Sequence, residues 1–210
     1  MLLPQHIEIT RQAIGADVSA RALQFILRAN AGQDNLCYQF GHDHFHFDNN
    51  QLQRSNAYIE EQRALVCAAL THDDARSAWQ AFGRMLHTVQ DFYAHSDYIP
   101  RWLSRFNGQT LPPPPEVDPV CLEILQHPGL HSGKLYYPLE ILAFLPPLRK
   151  YILPLLPADS HAHMNHDGPR TSAQFDYVFH ASIKRTKLEF EQIAAQLSPG
   201  HLSLFTDRQG

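Results

Sequence analysis

The chain has 210 residues, 44% of them hydrophobic, enough to bury one good core, so a single compact domain is expected. Its formal charge is −4 and only 18% of residues are charged, which excludes the basic surface of a nucleic-acid binder; any polynucleotide would have to be met through metal ions. Histidine is the outlier, at 14 residues against 17 Lys plus Arg, and much of it is clustered.

From Ile7 to Asn30 the apolar residues Ile9, Ala13, Ile14, Val18, Ala22, Phe25 and Ile26 recur at helical spacing, with Thr10 placed to cap a turn and Gly15 marking a break. Residues 31–50 lose that period and read as a loop rich in Asp, His and aromatics. A second helical stretch runs from about Ser55 to Ala69. The next has a clear start, because Asp73-Asp74 supply a cap and dipole-favoured carboxylates ahead of ARSAWQAFGRMLHTVQDFYAH. Pro100 is expected to stop that run.

Between about 107 and 157 the composition changes to a proline-rich insertion. LPPPPEVDP cannot be helix interior, since proline lacks the N–H and clashes with the preceding turn. LYYPLEILAFLPPLRKYILPLLP is apolar, yet Glu140, Arg149-Lys150 and its prolines rule out a membrane span. After ADSHAHMNHDGP, a long closing helix carries Phe175, Val178, Phe179, Ile183, Leu188, Phe190, Ile193 and Leu197. No strand-like alternation and no internal repeat is present, so the fold class is all-α, a helical bundle with a partly irregular insertion.

Cys37, Cys67 and Cys121 make neither a disulfide framework nor a thiolate zinc site, which points to a reduced interior. MLLPQHIEITRQAIG has no basic n-region and no long apolar core, so cytoplasmic residence, or export without a cleaved signal peptide, is expected.

The chemistry concentrates in three clusters. HTVQDFYAH places His87, Asp91 and His95 four apart, on one helical stripe that drifts about 40° per step. Alone, HxxxD describes a solvated helix edge worth a few tenths of a kcal/mol. GHDHFHFDNN adds His42, Asp43, His44, His46 and Asp48, with Asp34 shortly before. SHAHMNHDG adds His161, His163, His166 and Asp167, repeating the HxxxD spacing at His163–Asp167. Three His/Asp clusters beside helices, without thiolates, point to zinc or a similar divalent ion with positions open to water. Which of the loop histidines face inward is not fixed by periodicity.

HIEITRQAI, AN-x3-D, HFDN, LHTVQDFYAHSDYI and SHAHMNHD, in this order over roughly residues 5–195, resemble the Het-C family, related to zinc-dependent phospholipases C and zinc single-strand nucleases. The resemblance implies an all-α domain spanning residues 1–210 and two or three zinc ions. One ion would lie among Asp34, His46, His87 and Asp91, and a second at His95 with His161 or His163 and Asp167. A third would use His6 and share Asp91. The implied function is a metal-dependent hydrolase, a phospholipase C acting on phosphatidylcholine-type lipids through metal-activated water, with Asp34 and Asp91 in catalytic roles. The alternatives are a nuclease-like zinc phosphodiesterase or a non-catalytic membrane or partner-binding module. The expected partner is phospholipid rather than nucleic acid, with the apolar stretch 135–157 as a peripheral membrane contact. Oligomeric state is not legible.

Overall fold

The computed structural model describes residues 1–38, 41–143 and 145–208, and it is organised around one helix. In chain order the α-helices are α1 (Leu3–Ile14), α2 (Ala20–Gly32), α3 (Leu52–Thr71), α4 (Ala75–His95), α5 (Tyr98–Ser104), α6 (Leu122–Leu125), α7 (Leu139–Ala143), α8 (Pro146–Ile152), α9 (His161–Met164), α10 (Phe175–Ala194) and α11 (Pro199–Thr206). Among the described residues no strand forms; two isolated bridges, Ser96 to Ser132 and Lys134 to Ser160, join loops. The all-α, single-domain class expected from the pattern is the observed one.

Helix α4 is central because its sequence is apolar or small on nearly every side. From Met85 to His95 every residue is buried, and α2, α3 and α10 pack around it. A helix buried all round must satisfy its polar side chains internally, which is why His87, Gln90 and Asp91 are paired rather than solvated. Asp74 caps it, accepting from Ser77 N at 3.0 Å. Trp79 fixes α11 to its first half by donating from Nε1 to Phe205 O at 2.7 Å. Gly83 is where α2 crosses: a Cβ there would lie 2.8 Å from Ala29 Cβ and 3.0 Å from Asn30 N.

The structure departs from the sequence pattern in four places. Helix α4 ends at Ser96, which turns extended at ψ 167°, before Pro100 is reached. Pro100 instead lies in the first turn of α5, where its missing N–H costs no helical bond. Thr10 caps nothing; it is fully buried in α1 and accepts from Gln90 Nε2 at 3.0 Å. The last helical stretch divides into α10 and α11 at Ser198, whose side chain caps α11. The proline-rich stretch also divides: Val117, Cys121 and Ile124 join the main core, whereas Ala143 and Leu156 form a satellite cluster with Ala162. Phe144 of that stretch lies outside the described residues.

Two connections carry residues toward α4. The loop 43–50 is held against the loop 132–135 by hydrogen bonds from Asn49 N to Gly133 O (2.8 Å), Ser132 N to Asn50 Oδ1 (2.8 Å) and Leu135 N to Asn49 Oδ1 (2.7 Å). Phe47, Asn49 and Asn50 have φ of 57°, 53° and 58°, left-handed values that Asn tolerates and Phe adopts here while its ring is buried against Phe92. Gly133 lets the next segment come close, since a Cβ would stand 2.6 Å from His161 Cα, and His161 N donates to Lys134 O at 2.8 Å.

Candidate metal centre

The fold places His46, His87 and Asp91 in mutual contact and fully or nearly fully buried. His87 Nε2 lies 3.0 Å from Asp91 Oδ2 and 3.1 Å from His46 Nδ1, which is itself 3.1 Å from Asp91 Oδ2. Asp34 approaches from the end of α2, its Oδ1 3.7 Å from His87 Nε2. His6 on α1 stacks on His87 with ring centroids 4.3 Å apart and directs Nε2 to within 3.2 Å of Asp91 Oδ1.

A layer behind these rings fixes their orientation. Gln90 Oε1 lies 2.7 Å from His6 Nδ1 and accepts from Asn30 Nδ2 at 3.2 Å. Asn30 Oδ1 lies 3.4 Å from His87 Nδ1. Gln90 Nε2 is spent on Thr10 and Thr186, so its oxygen is the end presented to His6. An imidazole that donates from Nδ1 turns the Nε2 lone pair the other way. His6 and His87 therefore both aim lone pairs at the Asp91 carboxylate, which when ionised can only accept.

Crowding acceptors in a dry site is unfavourable unless a cation sits among them. Two atoms bound at about 2.0–2.2 Å to one tetrahedral zinc stand roughly 3.3–3.6 Å apart, and the 3.0–3.1 Å spacings among His46, His87 and Asp91 need only a few tenths of an ångström to match. His6 Nε2 and His46 Nε2 are buried without a hydrogen-bond partner among the described residues.

A second group forms one helical turn along α4. Asp48 Oδ1 lies 2.8 Å from His161 Nδ1 and 3.4 Å from His95 Nδ1, and the two imidazoles meet edge to face at 4.5 Å. His95 Nε2 is 3.0 Å from Asp167 Oδ1, while its Nδ1 contacts His46 O at 2.7 Å. The Met1 amino group stands between the two groups, 2.6 Å from Asp91 Oδ1, 3.3 Å from Asp167 Oδ1 and 3.1 Å from His95 Nε2. Met1, Asp48, His95, His161 and Asp167, with Asp34 and His46, line a cleft of about 490 Å³ whose rim carries Leu2, Leu3, Tyr137 and Ile141.

Burial and charge oppose each other throughout. Burial alone would raise the Asp91 carboxyl, yet the Met1 amine and the surrounding histidines hold it well below the usual carboxylate range. Burial lowers His87 strongly, leaving it neutral and able to ligate. Asp34 is raised, by burial first and then by Asp91. His95 is pulled down by burial and the amine but ends well above its usual value because Asp48, Asp91 and Asp167 favour its charged form. The amine is driven down by burial and up by Asp91 and Asp167, reaching about 11.

Of the nine residues expected to ligate, His6, Asp34, His46, His87, Asp91, His95, His161 and Asp167 come together, and His163 does not. His163 is exposed and its Nε2 contacts Leu153 O at 2.9 Å. The reason is local: α9 is a single turn ending at Met164 and Asn165 is extended, so the His163–Asp167 spacing never lies on a helix face. His166 turns to Ser172 Oγ at 2.6 Å, and His42 stacks on Phe45 away from the cleft. Asp48, present in its sequence cluster but not among the residues expected to ligate, joins the second group. His46-Phe47-Asp48 held the signal, because a central apolar anchor flanked by two polar residues puts both on the side opposite the core. Replacing His161 with alanine is expected to lower bound zinc, whereas His163→Ala is expected to leave it unchanged; equal losses in metal analysis of the two variants would refute this placement.

With the geometry in place, comparison with known proteins identifies the relatives. The model of the VWA7 N-terminal domain family matches residues 8–117, just over half of the chain. The matched span contains Asp34, His46, Asp48, His87, Asp91 and His95, with His6, His161 and Asp167 outside it. Von Willebrand factor A domain-containing protein 7 of Homo sapiens is 36% identical over 81 residues, which cover 37% of this chain and 9% of that protein. Its counterpart in Rattus norvegicus is 38% identical over 81 residues, with the same 37% and 9% coverage. The match thus spans less than a tenth of these relatives' length. No solved structure matches the chain.

These matches overturn the Het-C resemblance. With it fall the phospholipase C function, the nuclease alternative and the metal-dependent hydrolase reading. The error has a physical source: HxxxD on a buried helix with His/Asp loops beside it gathers side chains able to hold a cation without specifying any reaction.

Proposed function

The chain belongs to the VWA7 N-terminal domain family, and from that premise we propose that it is a non-catalytic helical module that holds divalent metal, zinc by its ligand set, at the cleft edge of α4. The observation that carries this is the convergence of His46, His87 and Asp91 in a dry site, with Asn30 and Gln90 orienting the rings behind them. Two ion positions are proposed. The first uses His46, His87 and Asp91, with His6 and Asp34 in reach; the second uses Asp48, His95 and His161, with Asp167 in reach. His6, Asp34 and His87 also form a ligand group, but it shares His87 with the first position and is assigned to that ion.

Bound only by the folded state, zinc at 100 times its Kd would stabilise the domain by about 2.7 kcal/mol. Added zinc is therefore expected to raise the melting temperature of chelator-treated protein, with magnesium leaving it in place. Zinc-loaded protein is expected to release no product from phosphatidylcholine or single-stranded DNA. No thermal shift with zinc would remove the metal, and turnover of either substrate would remove the non-catalytic part.

A second reading concerns the outer face, where Tyr137, Ile141, Leu145, Leu148, Tyr151 and Leu155 are all exposed. Lys150 lies there with Nζ 4.7 Å from the Tyr151 ring centroid, beside Arg149, while Glu140, the stretch's own acid, is fully buried. On an acidic chain this is a locally basic, apolar face, complementary to an anionic lipid surface. No helix among the described residues is long and apolar enough to cross a membrane, so contact would be peripheral. Vesicles of phosphatidylcholine with phosphatidylserine are expected to sediment the protein, and Tyr151→Ala with Leu155→Ala to weaken that several-fold; equal binding to vesicles lacking phosphatidylserine would contradict the charge argument.

A further inference from the structure

On the side of α4 away from the metal ligands, a separate cavity of about 240 Å³ lies between α3, α4, α10 and the loop carrying Phe47. Val89 and Phe92 reach it from a face centred about 130° around the helix from His87, Asp91 and His95, at 100° per residue. Phe47, Ile59 and Leu130 supply further apolar wall, and Arg185 of α10 supplies a guanidinium.

Two guanidiniums, Arg185 and Arg63, face a single buried carboxylate, the second carboxylate of the group being exposed. Glu189 is fully buried and shared by two cations, accepting from Arg185 Nε at 2.7 Å and from Arg63 Nη2 at 2.6 Å. Arg63 has a second partner in exposed Glu60. Arg185 pairs with no carboxylate other than Glu189 among the described residues. It also donates to the Tyr93 hydroxyl oxygen, whose own proton goes to Pro119 O at 2.6 Å. A planar guanidinium at a cavity that is walled by apolar side chains along most of its length and by Asn56 and Tyr93 elsewhere, sharing its one carboxylate with a second arginine, matches an added carboxylate on an apolar tail.

We propose that this cavity binds a medium-chain monocarboxylate, with the carboxylate on Arg185 and the tail against Val89, Phe92, Ile59 and Leu130. Size sets the tail length. A dry cavity of about 150 Å³ takes benzene, so 240 Å³ accommodates roughly nine or ten heavy atoms, the count of an eight-carbon acid. The cavity includes none of the proposed metal ligands, although Phe47 in its wall anchors the loop of His46 and Asp48, and the proposal does not rest on the proposed function.

Calorimetric titration with octanoate, octanol and acetate separates the contributions. Acetate offers the carboxylate to metal or arginine without the tail, and octanol offers the tail without the charge. Octanoate is expected to bind saturably at one equivalent, at least tenfold tighter than octanol, with acetate showing no comparable binding. Arg185→Gln should remove the tenfold advantage. Because that change also leaves Glu189 short of a partner, Leu130→Trp provides a second variant, filling the cavity from a loop and abolishing octanoate binding with helical content retained. No saturable octanoate binding, equal binding of octanoate and octanol, or octanoate binding unchanged in Leu130→Trp would each overturn the proposal.

Discussion

Replacing Asp91 with asparagine is expected to cut zinc affinity at the first position by at least 100-fold and to leave the folded domain with one ion in place of two. Loss of partners that merely orient ligands costs about 10–100-fold, and Asp91 is proposed as a ligand itself. Its two oxygens divide the work, Oδ2 facing His46 and His87, and Oδ1 facing His6 and the Met1 amine. Asparagine keeps the volume, so packing survives while the charge that gathers these groups is lost. Truncation to alanine should also destabilise metal-free protein, since breaking a buried ion pair costs about 3–5 kcal/mol. Zinc titration of Asp91→Asn with wild-type stoichiometry and affinity would show that the ion, if bound, sits elsewhere.

Gly83→Ala is expected to be the most damaging small substitution in the bundle. The added Cβ would intrude on the carbonyl oxygen of Ile26, backbone that cannot rotate away, and would press on Ala29 Cβ at 2.8 Å and Asn30 N at 3.0 Å. Helices α2 and α4 would have to separate along their contact. Overpacking of this kind costs about 1–3 kcal/mol, and backbone on the receiving side places it at or above the upper end. At about 2–4 °C per kcal/mol for a chain of this size, the melting temperature should fall by roughly 6–12 °C. Gly200→Ala, in α11 with nothing near its added methyl, is the control and should be neutral or slightly stabilising. The damage at Gly83 should also reach the proposed metal position, because Asn30 orients His87. Melting of Gly83→Ala within 2 °C of wild type would mean that the helices do not cross this closely.

What could be read from residues alone follows how far periodicity reaches. Helix α4 was legible from Asp74, which caps it, to the His87-Asp91-His95 stripe, because cap chemistry and 3.6-residue spacing are local properties. The stripe's drift also had a meaning the spacing could not express: His87 and Asp91 meet His46, while His95, a turn further, meets Asp48 and His161 in a different group. Loops were opaque. His46 faces inward because Phe47 anchors its loop at φ 57° and Asn49 and Asn50 bind residues 132–135, contacts made across more than 80 residues of sequence. His161 arrives through Gly133, and His163 is lost because α9 stops after one turn. The buried pair Asn30 and Gln90 carried no recognisable spacing, yet it decides which nitrogen of His6 and His87 faces Asp91.

The family was misread for a related reason. Short blocks such as HFDN and LHTVQDFYAHSDYI combine His/Asp pairs with apolar residues packed around α4, so they resemble helical metal proteins more strongly than they specify a reaction. The all-α fold survives the correction because it rests on periodicity; the hydrolase does not, because it rested on inheritance.

Metal content tests the central claim most directly. Protein purified without chelator and dialysed against metal-free buffer should carry two zinc per chain by elemental mass spectrometry. One zinc, lost in Asp91→Asn, would keep the His46–His87–Asp91 position and remove the one at Asp48, His95 and His161. Less than about a tenth of an equivalent, with no uptake on adding zinc, would contradict the account: the buried histidines and carboxylates would then be held by their mutual hydrogen bonds and the Met1 amine alone.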